Sequence, residues 1–323
     1  MIDGNDAAAD GARSKPGMRL LLILLLALAT VPLAADSYVQ GVAARMMIFA
    51  LFASSLNLIL GYAGLASLGH AAYFGMGAYA VAKLSLAGVS NLWWQLGVAC
   101  AATSALAAVF GLLVLRAKGA YLLMITLALA QVVWGIAYGW RAFTGADDGL
   151  PGIHRPEGVL LWDLSGDVGF YYFVFAVFAA MIWAIRRLVD SPFGRVLVGI
   201  RENERRMGAL GYHVWSYQYV ACILAGLIAG VAGALLAWQN GFVGPSYLSV
   251  NYSATALIMV ILGGAGTVLG PVIGAFLIVA LESIVSGMTE RWVMVLGAIY
   301  VLVTLFAPDG LAGVLRRRAR ATP

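Results

Sequence analysis

The chain has 323 residues, of which 62% are hydrophobic and only 11% are charged. A soluble domain carries about 25% charged residues, so this composition indicates a polytopic, all-α integral membrane protein with little mass outside the bilayer. The formal net charge of +5 lies mostly beside apolar runs, which orients a membrane protein and does not indicate nucleic-acid binding. Cys100 and Cys222 lie inside apolar runs and offer neither a disulfide framework nor a metal-binding spacing.

The N-terminal segment, residues 1–17, is polar and rich in Ala, Asp and Gly, and it is predicted to be disordered. Arg13, Lys15 and Arg19 then flank the start of the first apolar run, 20–35. The small residues at the end of this run also fit a signal-peptide cleavage site. We favour an uncleaved first span, because many spans follow and none of them requires a cleaved end.

Nine further apolar runs bring the prediction to about ten transmembrane helices, in a membrane domain at 18–310. Most approach the roughly 20 residues that a helix needs to cross a bilayer. These runs are 42–60, 65–87, 94–115, 119–138, 169–185, 215–238, 253–262, 271–286 and 291–307. Because 253–262 is too short to cross alone, a re-entrant pair within 253–286 competes with two full crossings there.

The distribution of charge predicts the orientation of these spans. Ten spans place both termini on one side, and cytoplasmic loops carry an excess of Lys and Arg. Most of the 20 Lys and Arg residues fall on the side of the termini, including the basic tail 311–323, so both termini are predicted to be cytoplasmic. The longest loop on the other side, 141–168, carries five acidic residues against two Arg and is predicted to be external.

One long charged stretch, 186–212, separates two apolar runs. Ser191 and Pro192 predict a helix start, as the N-cap and the first helical residue, and apolar residues then recur at helical spacing. Polar residues fall mostly on the other face, while Gly208 and Gly211 are predicted to loosen and end the helix. The pattern alone leaves two interpretations open, a docking surface for a cytosolic partner or a helix lying on anionic lipid.

The sequence contains no recognisable catalytic or ATP-binding motif. The phosphate-binding pattern GxxxxGK[ST] is absent, so the chain cannot hydrolyse ATP through such a loop. No nucleophile–base arrangement is readable, which argues against an enzyme. His70 is the strongest titratable candidate inside the bilayer, and we interpret it as a hydrogen-bonded helix contact rather than a proton relay. Arg45 and Glu282 lie near span ends, where we expect snorkelling or helix-end packing.

Two glycine-rich breaks, residues 61–64 and 263–266, each separate two apolar halves. Similar interruptions in two halves often mark a transport path, but these two lie six spans apart on one face and fit no simple inverted repeat. The small residues in 65–79 favour tight helix packing, while its polar groups suit a path. The candidate path residues are Asn57, Ser67, His70, Tyr73, Tyr79, Gly263 and Gly264.

Ordered motifs along most of the chain carry a family resemblance. They occupy 57–64 with 67–79, 116–121 with 124–128, 144–153, 191–195 with 201–204, and 262–271. Together, over about residues 40–310, they resemble branched-chain amino acid ABC transporter permeases, and within that family the LivM-type subunit. The resemblance implies that the membrane domain is a permease domain and that the chain requires no cofactor of its own.

The resemblance also implies partners and a location, the bacterial inner membrane. A second permease subunit, two cytosolic ATPase subunits that bind ATP, and a periplasmic substrate-binding protein would complete the importer. The 186–212 helix would couple to the ATPases, and the 141–168 loop would face the binding protein. The implied coupling residues are Arg195, Arg201, Glu202, Asn203, Glu204, Arg205, Arg206, Gly208 and Gly211.

The implied cargo is branched-chain or related amino acids. The same family also serves urea, short amides and aromatic or dicarboxylic compounds, which remain alternatives. A rival from another class is a stand-alone secondary carrier or channel. It needs a deep titratable or ion-coordinating site, and only His70 offers one in the sequence.

Overall fold

The structure, a computed structural model, describes residues 15–34, 36–156, 164, 166–286, 294 and 297. Within these residues the chain forms twelve α-helices. They are α1 (Lys15–Ala34), α2 (Ser37–Asn57), α3 (Ala71–Leu86), α4 (Leu92–Val114), α5 (Ala120–Gly139), α6 (Arg141–Thr144), α7 (Asp167–Asp190), α8 (Pro192–Glu202), α9 (Glu204–Ala209), α10 (Val214–Asn240), α11 (Val250–Gly263) and α12 (Gly270–Ser286). The protein is therefore an all-α membrane protein in the described part of the chain.

Short elements join these helices. A π-helical turn, Leu58–Tyr62, continues α2, and 3₁₀ turns form at Ala146–Asp148 and Pro245–Leu248. Two-residue strands, β1 (Leu150–Pro151) and β2 (Phe242–Val243), pair antiparallel and tie the predicted external loop to the chain that follows α10. Residues 1–14, the predicted span 291–307 apart from 294 and 297, and the basic tail 311–323 lie outside the described residues.

Among the described residues, five helical segments are long and apolar enough to cross a membrane. They are Ser37–Tyr62, Leu92–Val114, Ala120–Gly139, Asp167–Asp190 and Val214–Asn240. The first and last of these are largely buried inside the protein, whereas only 22–33% of the most apolar part of α4, α5 and α7 is buried. The fold thus places α2 and α10 at the centre and the other long helices around them, where lipid can cover them.

Two predicted spans form helices that are short for a membrane crossing. The run 65–87 becomes α3, which begins only at Ala71 after non-helical chain, and 253–262 becomes the 14-residue α11. At about 1.5 Å per residue these helices are about 24 and 21 Å long, less than the roughly 30 Å of bilayer hydrocarbon. A full crossing by either helix therefore requires adjoining chain that is not α-helical, and such chain is tolerated where protein surrounds it.

Glycine allows the central helices to touch backbone to backbone. A Cβ on Gly77 of α3 would collide with the Gly230 carbonyl of α10, and one on Gly233 would collide with the Phe74 carbonyl. Small residues at such positions permit the close approach on which helix packing in a membrane depends. Tight packing of α3 on α10 is therefore one confirmed use of the small residues in 65–79.

Candidate coupling site and transport path

The predicted charged helix is two helices, α8 and α9. Ser191 and Pro192 start α8 as expected, but the helix ends at Glu202 and Asn203 adopts an extended conformation, with φ −157° and ψ 97°. The Asn203 side-chain oxygen accepts a hydrogen bond of 2.9 Å from the Arg206 amide, which makes Asn203 the N-cap of α9. Gly208 lies inside α9, while Gly211, with φ +88°, lies in the turn beyond it.

The α8–α9 hairpin has two faces. Val196, Ile200 and Met207 form a small buried cluster that packs against Val214 and Tyr217 at the start of α10. The opposite face presents polar side chains to the surroundings, and Glu202 lies 3.4 Å from Arg206. The exposed predicted coupling residues on this face are Arg195, Glu202, Asn203, Arg205, Arg206, Gly208 and Gly211.

Two further predicted coupling residues, the exposed Arg201 and the half-buried Glu204, reach the membrane domain with their side chains. Arg201 donates a hydrogen bond from Nη1 to the Gly61 carbonyl oxygen, in the π turn that ends α2. Glu204 forms a 2.8 Å ion pair with Lys118 in the α4–α5 loop. The hairpin therefore contacts two separate parts of the membrane domain through side chains.

The two glycine breaks, which the sequence places far apart, meet in space. Asn57 is buried at the end of α2 and bridges them, because its Oδ1 accepts from the Gly266 amide at 2.9 Å and its Nδ2 donates to the Thr267 carbonyl at 2.9 Å. A Cβ on Gly61 would lie 2.9 Å from Gly266 Cα and would collide with the Asn57 side chain. Only glycine permits this contact.

A cavity of about 390 Å³ opens beside the contact between Arg201 and the first break. It is lined by chain 63–66, residues 115 and 117–119 of the α4–α5 loop, the start of α5, the hairpin and Gln218 of α10. Four polar side chains line it among apolar ones: Lys118, Arg201, Glu204 and Gln218. A mixed lining of this kind suits a small ligand that carries both charges and an apolar side chain.

A second, smaller cavity of about 20 Å³ continues from the first, since Leu65, Ala66 and Leu122 line both. Two predicted path residues, Ser67 and Tyr73, line this smaller cavity, together with Thr126 of α5. Asn57, Gly263 and Gly264 instead belong to the contact between the breaks, and His70 and Tyr79 line neither cavity.

His70 is buried directly behind Tyr73. Its Nε2 lies 2.8 Å from the Ser55 hydroxyl of α2, its ring stacks on Phe52 with centroids 5.7 Å apart, and Tyr73 packs against it edge-on at 5.4 Å. This arrangement is that of a hydrogen-bonded helix contact. The second ring nitrogen, Nδ1, faces no hydrogen-bond partner among the described residues.

Polar side chains that the sequence did not single out hold the start of α3. Thr126 Oγ1 accepts from the Leu68 amide at 3.2 Å, and Ser253 Oγ of α11 accepts from the Ala71 amide at 2.9 Å. The Ser253 bond satisfies one of the amides that a helix start leaves without a helical partner, and the Thr126 bond holds the non-helical chain just before it. Isolated Ser and Thr in apolar runs carry no periodic signal, so the sequence alone gave no reason to choose them.

Arg45 and Glu282 correct another expectation. Instead of snorkelling separately at span ends, they form a 2.8 Å ion pair that joins α2 to α12, and the Arg45 guanidinium lies 5.6 Å from the centre of the Phe49 ring. Both side chains are partly shielded. Pairing lowers the cost of holding two charges at this depth.

The long apolar helices, the glycine breaks in the core and the cavity beside a charged hairpin are those of a multi-pass membrane transport protein. The chain belongs to the family described as branched-chain amino acid transport system permease component, whose model matches residues 38–304. It is a permease subunit of the LivM type. Permeases of this family belong to multi-subunit transport systems, so the chain has partner subunits.

Named relatives support this assignment. The high-affinity branched-chain amino acid transport system permease protein LivM of Escherichia coli is 29% identical over 331 residues, covering 96% of this chain and 78% of the relative. The probable LivM of Methanocaldococcus jannaschii is 25% identical, covering 80% and 88% of the two chains. LivH of Salmonella typhimurium is 22% identical, covering 82% and 91%. No solved structure gives a significant match.

Proposed function

We propose that this chain is one of two different permease subunits of an ATP-driven importer for branched-chain or related amino acids in the bacterial inner membrane. Two cytosolic ATPase subunits bind and hydrolyse ATP, and a periplasmic binding protein delivers the amino acid. Family membership supports this, as do relatives named as two kinds of permease, LivM and LivH, and a sequence without a phosphate-binding loop.

The observation that carries the proposal is the two-faced α8–α9 hairpin. One face is anchored by Val196, Ile200 and Met207, while the other presents Arg195, Arg205 and Arg206 around Glu202. The hairpin has one face packed on the core and one charged face that is exposed. It can therefore transmit to the core the movement of a partner that binds the charged face. ATPase closure moves the hairpin, and the attached helices change access to the path.

The cavity supports an amino-acid cargo. Its volume of about 390 Å³ falls in the range of roughly 300–1,000 Å³ that is typical of small-molecule sites. Lys118 suits a carboxylate, Glu204 suits an ammonium group, and Leu115, Leu122 and Leu123 suit an apolar side chain. In this structure Lys118 and Glu204 pair with each other. A bound zwitterion would separate this pair, with its carboxylate facing Lys118 and its ammonium group facing Glu204.

Transport in proteoliposomes tests the proposal. The chain is reconstituted with a second permease, ATPases and a binding protein. Import of labelled leucine is expected only when ATP is present on the side of the membrane where the ATPases are bound. The chain alone is expected to move none. Uphill uptake by the chain alone would establish the secondary-carrier alternative and overturn the importer.

A charge reversal tests the docking surface. Glu202→Lys and Arg205→Glu are expected to reduce ATPase co-purification at least about tenfold, because each places like charges against the partner. Arg116→Gln is the control, since Arg116 is exposed in the α4–α5 loop and lies outside the hairpin. Unchanged co-purification combined with weaker binding to anionic vesicles would assign this face to lipid.

A further inference from the structure

We infer that Arg201 is the positioning residue through which the α8–α9 hairpin sets the arrangement of both glycine breaks. The inference rests on the proposed function, because it takes ATPase docking as the source of hairpin movement. It adds the atomic connection between that movement and the helices around the path. Arg201 has this role on the side of the hairpin that faces the membrane domain, not on the face proposed to dock the ATPases.

The Arg201 side chain fills space that two glycines leave open. A Cβ on Gly64 would lie 2.9 Å from Arg201 Cγ, and a Cβ on Gly266 would lie 2.8 Å from Arg201 Nη1. Both distances are too short for real side-chain contacts. The arginine therefore lies against the backbone of the first break along its stem and against the second break at its tip.

Electrostatics hold the guanidinium at this position. It donates to the Gly61 carbonyl at the end of the π turn, where the helix from Ser37 stops and its last carbonyls lose their helical partners. A helix C-terminus carries partial negative charge and attracts a cation. A charge-assisted hydrogen bond at this end is stronger than one between neutral groups.

Movement of Arg201 reaches both breaks together because they are already joined. Asn57 bonds the end of α2 to Gly266 and Thr267, and Thr267 Oγ1 in turn bonds Gly264 and Gly270 within the second break and its exit. The other side-chain link from the hairpin, Lys118–Glu204, is an exposed pair and contributes little stability. Arg201 is exposed overall, but its bond to Gly61 is partly buried, so it is the stronger of these two connections.

Coupling measurements on the assembled importer test the inference. Arg201→Gln is expected to keep ATPase co-purification at the wild-type level but to raise the ATP consumed per imported leucine about tenfold, as loss of a charge-assisted hydrogen bond implies. Arg201→Lys, which keeps the cation, is expected to recover part of this loss. Arg116→Gln, another neutralised arginine, is expected to match the wild type.

A double-mutant cycle separates this role from a merely structural one. Asn57→Ala removes the two hydrogen bonds that join the end of α2 to the second break and is expected to raise the same ratio. Combined with Arg201→Gln it is expected to add little, because both changes interrupt the same route from the hairpin to the second break. Additive effects, an unchanged ratio in Arg201→Gln, or loss of assembly in every variant would each overturn the inference. Failure of wild-type uptake with ATP would instead refute the proposed function.

Discussion

The two glycine breaks look alike in sequence but are built differently. The first begins inside a π turn and runs on as non-helical chain to His70, and Arg201 holds it from outside through the Gly61 carbonyl. The second is a compact loop with φ +106° at Gly264 and +77° at Gly266, and Thr267 braces it from within. The first break is thus held by the hairpin through Arg201, whereas the second is held by the adjacent Thr267 together with Asn57 of α2.

This difference indicates which break can respond to a partner. A loop whose own side chain satisfies its backbone keeps its shape when neighbours move. A break held by a distant arginine changes when that arginine changes position, and the first break is the one that lines the cavity, through Ala63 and Gly64. The four substitutions below test this contrast, in decreasing order of expected effect.

Gly61→Ala is expected to have the largest effect. Its methyl group would collide with the Asn57 side chain and the Gly266 backbone, which cannot withdraw without breaking the Asn57 hydrogen bonds. We expect a loss of about 3 kcal/mol in stability, the upper end for overpacking. Thermal unfolding in detergent and leucine uptake by the assembled importer measure it.

The control for this substitution is Gly135→Ala in α5, where an added Cβ meets nothing within 4 Å. Alanine favours a helix interior over glycine by up to about 1 kcal/mol. This variant should therefore unfold at the wild-type temperature or slightly above it. Equal unfolding temperatures for the two variants would show that the breaks do not touch.

Asn57→Ala is expected to rank second. It leaves the Gly266 amide and the Thr267 carbonyl without their partner, and unpaired buried groups cost about 1–3 kcal/mol. We expect a loss of about 2 kcal/mol and weaker uptake. Asn251→Ala, at an exposed position of α11, should leave both measurements unchanged. If the two variants behave alike, Asn57 does not bridge the breaks.

Thr267→Val separates the two breaks. It removes the hydroxyl that donates to the Gly264 carbonyl and accepts from the Gly270 amide, both at 3.0 Å, while the bonds at Asn57 stay intact. We expect a loss of about 1.5 kcal/mol in stability, because two hydrogen bonds of roughly 0.5–1.5 kcal/mol each are lost. The ATP consumed per leucine should not change. A rise equal to that expected for Arg201→Gln would contradict the idea that only the first break changes shape in response to the hairpin.

Lys118→Gln is expected to have the smallest effect on stability. The Lys118 side chain is 74% exposed and that of Glu204 is 39% exposed, so solvent screens their pair. We expect a change within about 0.5 kcal/mol in the unfolding measurement. The Michaelis constant for uptake should rise if Lys118 meets the cargo carboxylate, and restoration by Lys118→Arg would support a role for the charge.

Much of this architecture follows from the sequence, and the exceptions have physical reasons. Apolar runs predicted the long helices, and Ser191 with Pro192 predicted the start of α8. The end of α8 at Glu202 was missed because the Asn203 side chain caps α9 and so competes with continuation of α8. Helical periodicity does not reveal such a competition. The late start of α3 was missed because apolar composition is the same in helical and extended buried chain.

The candidate site was less predictable than the fold. Helical periodicity placed Arg201 with the other polar residues of the hairpin, but its long side chain turns back to Gly61. Contact between the breaks depends on Asn57 and Gly266, which are separated by 209 positions, and no local pattern encodes such a pairing. Ser67 and Tyr73 were found because polar residues beside glycine in an apolar run are uncommon.

The late start of α3 has a consequence for biogenesis. Its first amide depends on the hydroxyl of Ser253, which the ribosome adds 182 residues later. At about 5–20 residues per second, this wait lasts on the order of 10 to 40 s. During that time the insertion machinery or a chaperone has to shelter exposed backbone that lipid cannot solvate. Truncated nascent chains ending before Ser253 should therefore be degraded faster than those ending just beyond α11.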